Sequence, residues 1–166
     1  CQPASELEQQ ADSDQMPMNE RLVPQFEVDP SWPMLPNNWV LGSVASVDVD
    51  SRDHVWIYHR PRSVDEEQRE NAAPAVLEFD TEGDFVQGWG GPGDGYEWPA
   101  NEHGIEVDNQ DHVWLGGNGG GESSDDMLLK FTRDGQLVMQ IGGRNTSGGN
   151  ADTDNLNRPS ELAVYS

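Results

Sequence analysis

The chain has 166 residues, a length that predicts one domain of ordinary size. Its 31 Asp and Glu residues outnumber its 9 Lys and Arg residues and give a formal net charge of −22. Such a surface repels phosphate backbones, which excludes nucleic acid as an expected partner, and it suits solubility in salt water or attraction of a cationic partner. Cys1 is the single cysteine, so no intramolecular disulfide is expected, and the sequence has no apolar run long enough to span a bilayer.

The N-terminal stretch is polar, since Cys1 is followed by QPASELEQQADSDQMPMNE at 2–20. A cysteine before such a stretch resembles a mature bacterial lipoprotein, in which the signal peptide is cut just before a lipidated cysteine. The resemblance implies acyl chains on Cys1, a membrane anchor, and a location outside the cytoplasm on the periplasmic side. A chain that begins at this cysteine by chance is the alternative. Residues 2–22 show no sustained hydrophobic period, which predicts a flexible tether.

The next segment, DPSWPMLPNNWVLG at 29–42, is rich in proline and tryptophan. This composition predicts an extended segment that lies across the first folded repeat or docks on a partner. We therefore divide the chain into a lipid-anchored tether with an extended segment at 1–37, and a folded domain at 38–166.

A short pattern occurs twice, as VDVDSRDHVW at 47–56 and as IEVDNQDHVW at 105–114. In each copy, alternating apolar and polar residues lead into a polar turn and then into β-branched and aromatic residues. This order predicts a β-hairpin. His54 and His112 stand at equivalent positions after the turn, where we expect a structural role at the start of a strand.

A second pattern also recurs, because VLEFDTEGDFVQGWGG at 76–91 aligns without gaps on LLKFTRDGQLVMQIGG at 128–143. Each copy reads as strand, turn and strand, with Gly83 and Gly135 as the turn glycines. Together the two patterns predict two successive units of four antiparallel strands.

Four-stranded units that recur at this spacing are typical of a β-propeller. We predict an all-β fold, a partial propeller of about two to three four-stranded blades. The last fragment, SELAVYS at 160–166, is predicted to open a third unit. Because propellers close with about four to eight blades, we expect that the natural protein continues beyond Ser166, or that other copies or another protein cover the exposed apolar faces at the C-terminal edge.

These repeats carry a family resemblance. VLEFDTEGDFVQGWGG, HGIEVDNQDHVW and LLKFTRDGQLVMQIGG resemble NHL repeats, the units of six-bladed propellers. The ordered set VDVDSRDHVWIYHR, EHGIEVDNQDHVW and LNRPSELAV is similar to peptidyl-α-hydroxyglycine α-amidating lyase and to bacterial secreted propellers that resemble it. The resemblance extends over residues 38–166 and implies NHL-type blades.

The lyase resemblance also implies site residues. In that family three histidines hold zinc in the central channel, beside an arginine and a tyrosine, and the site breaks a C–N bond of a peptidyl-α-hydroxyglycine to give an amide and glyoxylate. The motif YHR makes Arg60 the implied catalytic residue, which stabilises developing negative charge. The motif HGI makes His103 the implied zinc ligand. The family's structural calcium is held partly by backbone carbonyls, which correspond here to Val47 and Ile105.

Arg60 and His103 also have ordinary interpretations. Arg60 can pair with the acids of SVDEEQRE at 63–70, and His103 can be a polar residue at the mouth of the channel. Counterparts of the family's tyrosine and of its other two histidines do not occur in this sequence, and one histidine cannot complete a zinc site. His59 is expected to pack or to hydrogen-bond locally.

Two functions from different classes follow. The first is a non-catalytic, lipid-anchored propeller that binds or scaffolds outside the cytoplasm, such as an accessory subunit on the periplasmic face of a respiratory or photosynthetic membrane complex. Its binding face is expected from the long connections HRPRSVDEEQRE at 59–70 and GGPGDGYEWP at 90–99, with Tyr96 and Trp98 as contact aromatics. The second is the N-terminal portion of a zinc-dependent, lyase-like enzyme. We favour the first, because the sequence contains no finished metal site.

Overall fold

The fold is all-β, as predicted. A computed structural model describes residues 24–165. Its eight strands are β1 Ser43–Val49, β2 Val55–Arg60, β3 Val76–Phe79, β4 Phe85–Trp89, β5 Glu102–Val107, β6 Val113–Gly117, β7 Asp125–Phe131 and β8 Leu137–Arg144. The only helices among the described residues are three short 3₁₀ helices, at Pro61–Ser63, Glu66–Asn71 and Gly121–Ser123. None of them has the length and apolar content that a bilayer-spanning helix requires.

The strands form two four-stranded antiparallel sheets, in the orders β1-β2-β3-β4 and β5-β6-β7-β8. Every neighbour in a sheet is also the neighbour in sequence, so each sheet is a simple meander. The two recurring sequence patterns are the two hairpins of each meander. The predicted hairpins are therefore confirmed in both copies.

The turns of the two sheets match position by position. Asp53 and Asp111 both adopt a left-handed backbone, with φ of 60° and 63°. Gly83 and Gly135 do the same in the second hairpin of each sheet, with φ of 87° and 83°. A glycine has no Cβ to clash in this region of φ, which explains why the turn uses glycine in both copies.

The main core lies between the two sheets. It unites side chains of the first sheet with side chains of the second, and its fully buried members are Trp56, Tyr58, Ala75, Val76, Val113, Leu115, Leu129 and Phe131. Trp89 from β4 reaches across to Phe131 of β7, with 5.2 Å between the ring centroids. The sheets therefore pack face to face through aliphatic and aromatic side chains.

The segment at 31–41 lies against the opposite face of the first sheet. Trp32 packs on Phe79, with ring centroids 6.0 Å apart, and Trp39 meets Phe85 edge-on at 5.3 Å. Backbone hydrogen bonds join Met34 N to Gly83 O and Val40 N to Asn71 O. Of the two predicted roles of this segment, the structure shows the first, a cover for the first repeat.

The contact of the 31–41 segment with the first sheet has the same form as the contact of the first sheet with the second. Trp89 lies over turn glycine Gly135 of the second sheet, and Trp32 lies over Gly83, the equivalent glycine of the first sheet. A Cβ on either glycine would come within 3 Å of the indole ring. Each sheet thus has its turn glycine covered by a tryptophan from the preceding part of the chain.

The outer face of the second sheet has no such cover among residues 24–165. Met139 and Ile141 on this face are 44% and 42% exposed. In the first sheet the equivalent face is the one that the second sheet buries. The register of the strands shows this equivalence. The row of paired residues on this face is Trp56, Glu78 and Gln87 in the first sheet, and Trp114, Lys130 and Met139 in the second.

The prediction of an opening strand at 160–166 is wrong for the described residues, because none of 160–165 belongs to a strand. The segment nevertheless lies beside β5: a Cβ on Gly104 would meet Ser160 O, and Val164 N donates to a Glu106 side-chain oxygen at 3.4 Å. One repeat earlier, Val107 N donates to Asp48 in the same way at 2.6 Å. A strand needs a hydrogen-bonded neighbour, and the described residues supply none for this segment.

Candidate functional site

One cluster of side chains has metal-like composition. Asp50 follows β1, His54 precedes β2 and Glu78 lies in β3, and their nearest oxygen and nitrogen atoms all fall within 4.8 Å of one another. Both carboxylates are buried, and His54 Nδ1 lies 2.6 Å from Glu78 Oε1. Such a group requires a compensating positive charge, because two buried carboxylates repel each other.

Arg133, in the β7–β8 turn of the second sheet, supplies that charge. Its Nη1 lies 2.7 Å from Asp50 Oδ2, its Nη2 donates to Glu78 Oε1, and its guanidinium stacks over Trp56 at 5.1 Å from the ring centroid. The carboxylate oxygens that could bind a metal are thus already paired with a guanidinium, whose positive charge would repel a metal ion beside it. The cluster does not fit a metal and acts as an ion pair between the sheets.

In the second sheet, the equivalent buried carboxylate is neutralised by a cation of the same sheet. Asp108, the equivalent of Asp50, accepts from Trp114 Nε1 at 3.0 Å and pairs with Lys130 Nζ at 3.2 Å. Lys130 occupies the position of Glu78 in the aligned repeat, so the sign of the charge is inverted there. Burial alone would raise the pKa of Asp108, but hydrogen bonds from Trp114, from the backbone N–H groups of His112 and Gln110 and from Lys130 outweigh it and lower the pKa.

This lowered pKa predicts a loss of stability in acid. Above the unfolded value of 3.8, Asp108 is charged in both states and its stabilisation is fully present. As the pH falls below 3.8, the unfolded state binds a proton that the folded state does not, so the free energy of unfolding falls. We expect Asp108→Asn to be less stable than the wild type at neutral pH and to lose less stability from pH 4 to pH 2, measured by urea denaturation. Equal losses in the two proteins would contradict this assignment.

A separate cavity of about 580 Å³ lies where two long connections meet, a size typical of small-molecule sites. We call it the loop cavity. Its walls come from the β2–β3 connection, from the β4–β5 connection and from Trp39, and they are mostly tryptophan, proline, alanine and glycine. Its lining residues are Trp39, Pro61, Arg62, Ala72, Ala73, Pro74, Ala75, Gly90, Gly91, Pro92, Trp98, Pro99 and Glu102.

Among residues 24–165, Glu102 is the only carboxylate in this lining, and it is 3% exposed. Its Oε1 accepts from Trp98 Nε1 at 3.0 Å. Arg62 Nη2 approaches Oε2 to 2.9 Å, but the angles of this approach do not make a hydrogen bond, and Oε2 has no hydrogen-bond partner among residues 24–165. The hydroxyl of Tyr58, whose ring meets Trp98 edge-on at 6.1 Å, is also buried and finds no hydrogen-bond partner in the described part of the chain. Burial and the charge of Glu102 raise the pKa of Tyr58, which keeps it neutral.

Asp125 at the start of β7 fixes the wall beside Glu102. Its buried carboxylate accepts backbone N–H groups from Ala100 at 2.7 Å, Asn101 at 2.9 Å and Gly119 at 2.7 Å. Three such bonds hold the end of the β4–β5 connection against the β6–β7 connection. The acidic stretch GESSDD at 121–126 therefore contributes a structural carboxylate, that of Asp125, which the sequence alone does not reveal.

Arg60 adjoins the loop cavity without lining it. Its Nε donates to the backbone carbonyl of Glu102 at 2.9 Å, and no ion pair among the described residues joins it to the acids at 63–70. The neighbouring His59 is buried, accepts from Gly42 N at Nδ1 and donates from Nε2 to Pro74 O, so its predicted local role is confirmed. Burial lowers the pKa of His59, which favours this neutral form.

His103 follows Glu102 directly, so Arg60 and His103 lie at the same end of the two sheets. His103 Nδ1 lies 2.9 Å from Ser160 O, and because a carbonyl only accepts, Nδ1 is the donor of this hydrogen bond. No group of three metal-binding side chains within residues 24–165 includes His103. The described part of the chain therefore does not itself form a zinc site, and the zinc role of His103 stays a prediction.

The remaining predicted site residues are placed more simply. Val47 and Ile105 occupy equivalent positions in β1 and β5, opposite Ile57 and Leu115. Their backbone carbonyls remain predicted calcium ligands. Cys1, the predicted lipidation site, lies outside the described residues.

The two connections and Trp98, which the sequence analysis expects in a binding face, contribute to the lining of the loop cavity. Arg62 and Glu102 were not singled out from the sequence. Glu102 precedes the HGI motif and resembles an ordinary surface acid in the sequence, since nothing local marks it as buried.

No known protein-family model matches the chain, and no curated protein is significantly similar to it.

Proposed function

We propose that the protein is a non-catalytic binding module with β-propeller architecture, whose binding site is the loop cavity. The observation that carries the proposal is the meeting of the two long connections around a mostly apolar cavity with a few inward polar groups. That composition is typical of small-molecule and peptide sites. The module is held outside the cytoplasm by a lipid on Cys1 and serves as a scaffold or accessory subunit on the periplasmic face of a membrane complex.

The propeller part of the proposal is supported by the regular relation between successive units. The contact of Trp32 with Gly83 is repeated by Trp89 with Gly135. The bond between Asp48 and Val107 N is repeated between Glu106 and Val164 N. Contacts that recur from one unit to the next are expected when the same sheet is stacked repeatedly around an axis. NHL-type blades are the form that the sequence resemblance favours.

The same relation assigns a role to the outer face of the second sheet. Because the equivalent face of the first sheet is buried, a further blade or a partner protein covers the face that holds Trp114, Met139 and Ile141. Exposed apolar side chains on a β-sheet favour association, which supports this assignment.

A second candidate function is a zinc-dependent, lyase-like enzyme. One observation favours it: Arg60 holds the carbonyl of the residue next to His103, so the two residues implied by the resemblance lie at one sheet end. In this candidate, further ligands complete the zinc site around His103, and Arg60 stabilises negative charge on the substrate.

The binding role can be tested by NMR on the indole N–H groups. The six tryptophans provide internal controls, because Trp39 and Trp98 line the loop cavity whereas Trp56 and Trp114 do not. A library of small fragments is added to the ¹⁵N-labelled protein. We expect several fragments to shift the Trp39 and Trp98 signals and to leave those of Trp56 and Trp114 in place. Shifts spread evenly over all indoles, or no shifts, would contradict the proposal.

A further inference from the structure

The loop cavity contains a buried acid, Glu102, whose ion-pair partner is a half-exposed arginine. Glu102 Oε1 accepts a hydrogen bond from Trp98 Nε1, whereas Oε2 is buried and receives no hydrogen bond from the residues that the structure describes. A buried carboxylate oxygen without a donor is costly, and native structures rarely retain one unless something else supplies the donor. The unfilled acceptor belongs to the one acidic residue of the cavity wall.

Arg62 is a weak partner for this acid. Its side chain is 47% exposed. Its Nη1 donates a long hydrogen bond of 3.5 Å to Glu102 Oε1, and its Nη2 lies 2.9 Å from Oε2 without the angles of a hydrogen bond. It is held at the rim by Asn101 Oδ1 at 3.2 Å. A half-exposed guanidinium is readily hydrated when it turns to solvent, and a ligand cation would keep the buried carboxylate of Glu102 paired. Arg62 is therefore displaceable by a ligand.

The rest of the cavity suits a cation with an apolar body. Trp39 and Trp98 line it together with prolines and alanines, and aromatic side chains attract ammonium groups. The net charge of −22 raises the local concentration of cations and lowers that of anions. The carboxylate oxygen of Glu102, the tryptophans of the wall and the negative net charge all favour a positively charged ligand.

Resting on the proposed binding role, we infer that the loop cavity binds an organic ammonium with an apolar or aromatic body, whose N–H groups donate to Glu102 Oε2. The ammonium replaces the guanidinium of Arg62, which swings to solvent. Arg62 thus competes with the ligand for Glu102, and its removal strengthens binding. Removal of the Glu102 charge should therefore weaken ammonium binding, and removal of the Arg62 charge should strengthen it. Opposite effects of this kind distinguish ligand contact from a purely structural role.

The test uses 2-phenylethylammonium, its neutral analogue 2-phenylethanol and the anion 3-phenylpropanoate, titrated by calorimetry. We expect the ammonium to bind about tenfold or more tightly than the alcohol, since a charge-assisted hydrogen bond is made only by the ammonium. The anion is expected to bind most weakly. Glu102→Gln should abolish the preference for the ammonium, and Arg62→Gln should increase the affinity for it. Glu82→Gln, an equal loss of charge in an exposed turn, should change neither.

Other outcomes separate the two proposals. Equal binding of ammonium and alcohol, or preferred binding of the anion, would overturn the ligand class while leaving the loop cavity as a binding site. Weaker ammonium binding in Arg62→Gln would also overturn it. If all three probes fail to bind, the inferred ligand class is wrong, and the fragment screen on the indole signals decides the binding role separately. Retention of the wild-type denaturation curve by Glu102→Gln shows that the variant is folded.

Discussion

Replacing Arg133 with methionine is expected to lower the free energy of unfolding by about 3–5 kcal/mol, the cost of leaving buried carboxylates without their cation. The side chains of Asp50 and Glu78 are 1% and 0% exposed, and Arg133 bonds to both. Methionine keeps much of the arginine's apolar stem, so the loss reports the charge. Urea denaturation monitored by tryptophan fluorescence measures the change.

Arg52 offers a matched control for this substitution. It also pairs with Asp50, at 3.4 Å, but its side chain is 43% exposed. Arg52→Met should therefore cost no more than about 1 kcal/mol. Equal effects of the two substitutions would show that the pairing across the sheets is not what Arg133 contributes.

The second sheet suggests a rescue of the Arg133 variant. Lys130 stands at the position of Glu78 and neutralises Asp108 from within its own sheet. The double variant Glu78→Lys, Arg133→Met copies this arrangement in the first sheet. We expect it to recover a substantial part of the lost stability, because Asp50 regains a nearby cation and no second buried acid remains.

Replacing Phe131 with alanine is expected to lower the free energy of unfolding by about 3–5 kcal/mol, as for other large aromatic side chains removed from a core. Phe131 is 1% exposed and lies between Trp89 and Tyr96, each with a ring centroid 5.2 Å away, and Trp98 at 6.3 Å. Three aromatic rings therefore lose contact at once. Thermal and urea denaturation both measure the loss.

Phe131 also supports the loop cavity, since Trp98 belongs to its wall. The Trp98 indole signal should shift in Phe131→Ala even where the protein stays folded. Ile141→Ala is the control, because Ile141 lies on the outer face of the same sheet and is 42% exposed, so its effect should stay near 0.5 kcal/mol. A Phe131→Ala protein as stable as the wild type would refute the packing of the two sheets described above.

The hairpins were predictable because their signals are local. Alternating apolar residues, the polar turns before His54 and His112, and the turn glycines Gly83 and Gly135 each report on a few neighbouring residues. The repetition of each pattern strengthened these signals. The strand predicted at 160–166 does not form over the described residues 160–165, because a strand also requires a hydrogen-bonded neighbour, which a local pattern does not guarantee.

The charge pairs and the loop cavity were less predictable because they depend on contacts across the fold. The alignment of Glu78 with Lys130 was a visible signal that one repeat needs a cation from elsewhere, but the sequence does not say that Arg133 provides it. The loop cavity arises from connections that differ between the repeats, so the repeat does not constrain them. Their shape depends on bonds such as those of Asp125 to distant backbone N–H groups.

The predicted functional residues divide in the same way. Arg60 and His103 were chosen by resemblance, and the structure places them at one sheet end without assembling a metal site among the described residues. Glu102, between them in space and adjacent to His103 in sequence, acquires its importance only from burial. The ligand class inferred for the loop cavity therefore depends on a residue whose burial the sequence does not reveal.

The most direct test of a non-catalytic binding role is the zinc content of the purified protein after equilibration with zinc and extensive dialysis. Because a zinc site requires three or four protein ligands, the account predicts zinc far below one equivalent per chain, with no difference between the wild type and His103→Ala. Retention of about one zinc per chain by the wild type, and its loss in His103→Ala, would contradict the account and favour the enzyme.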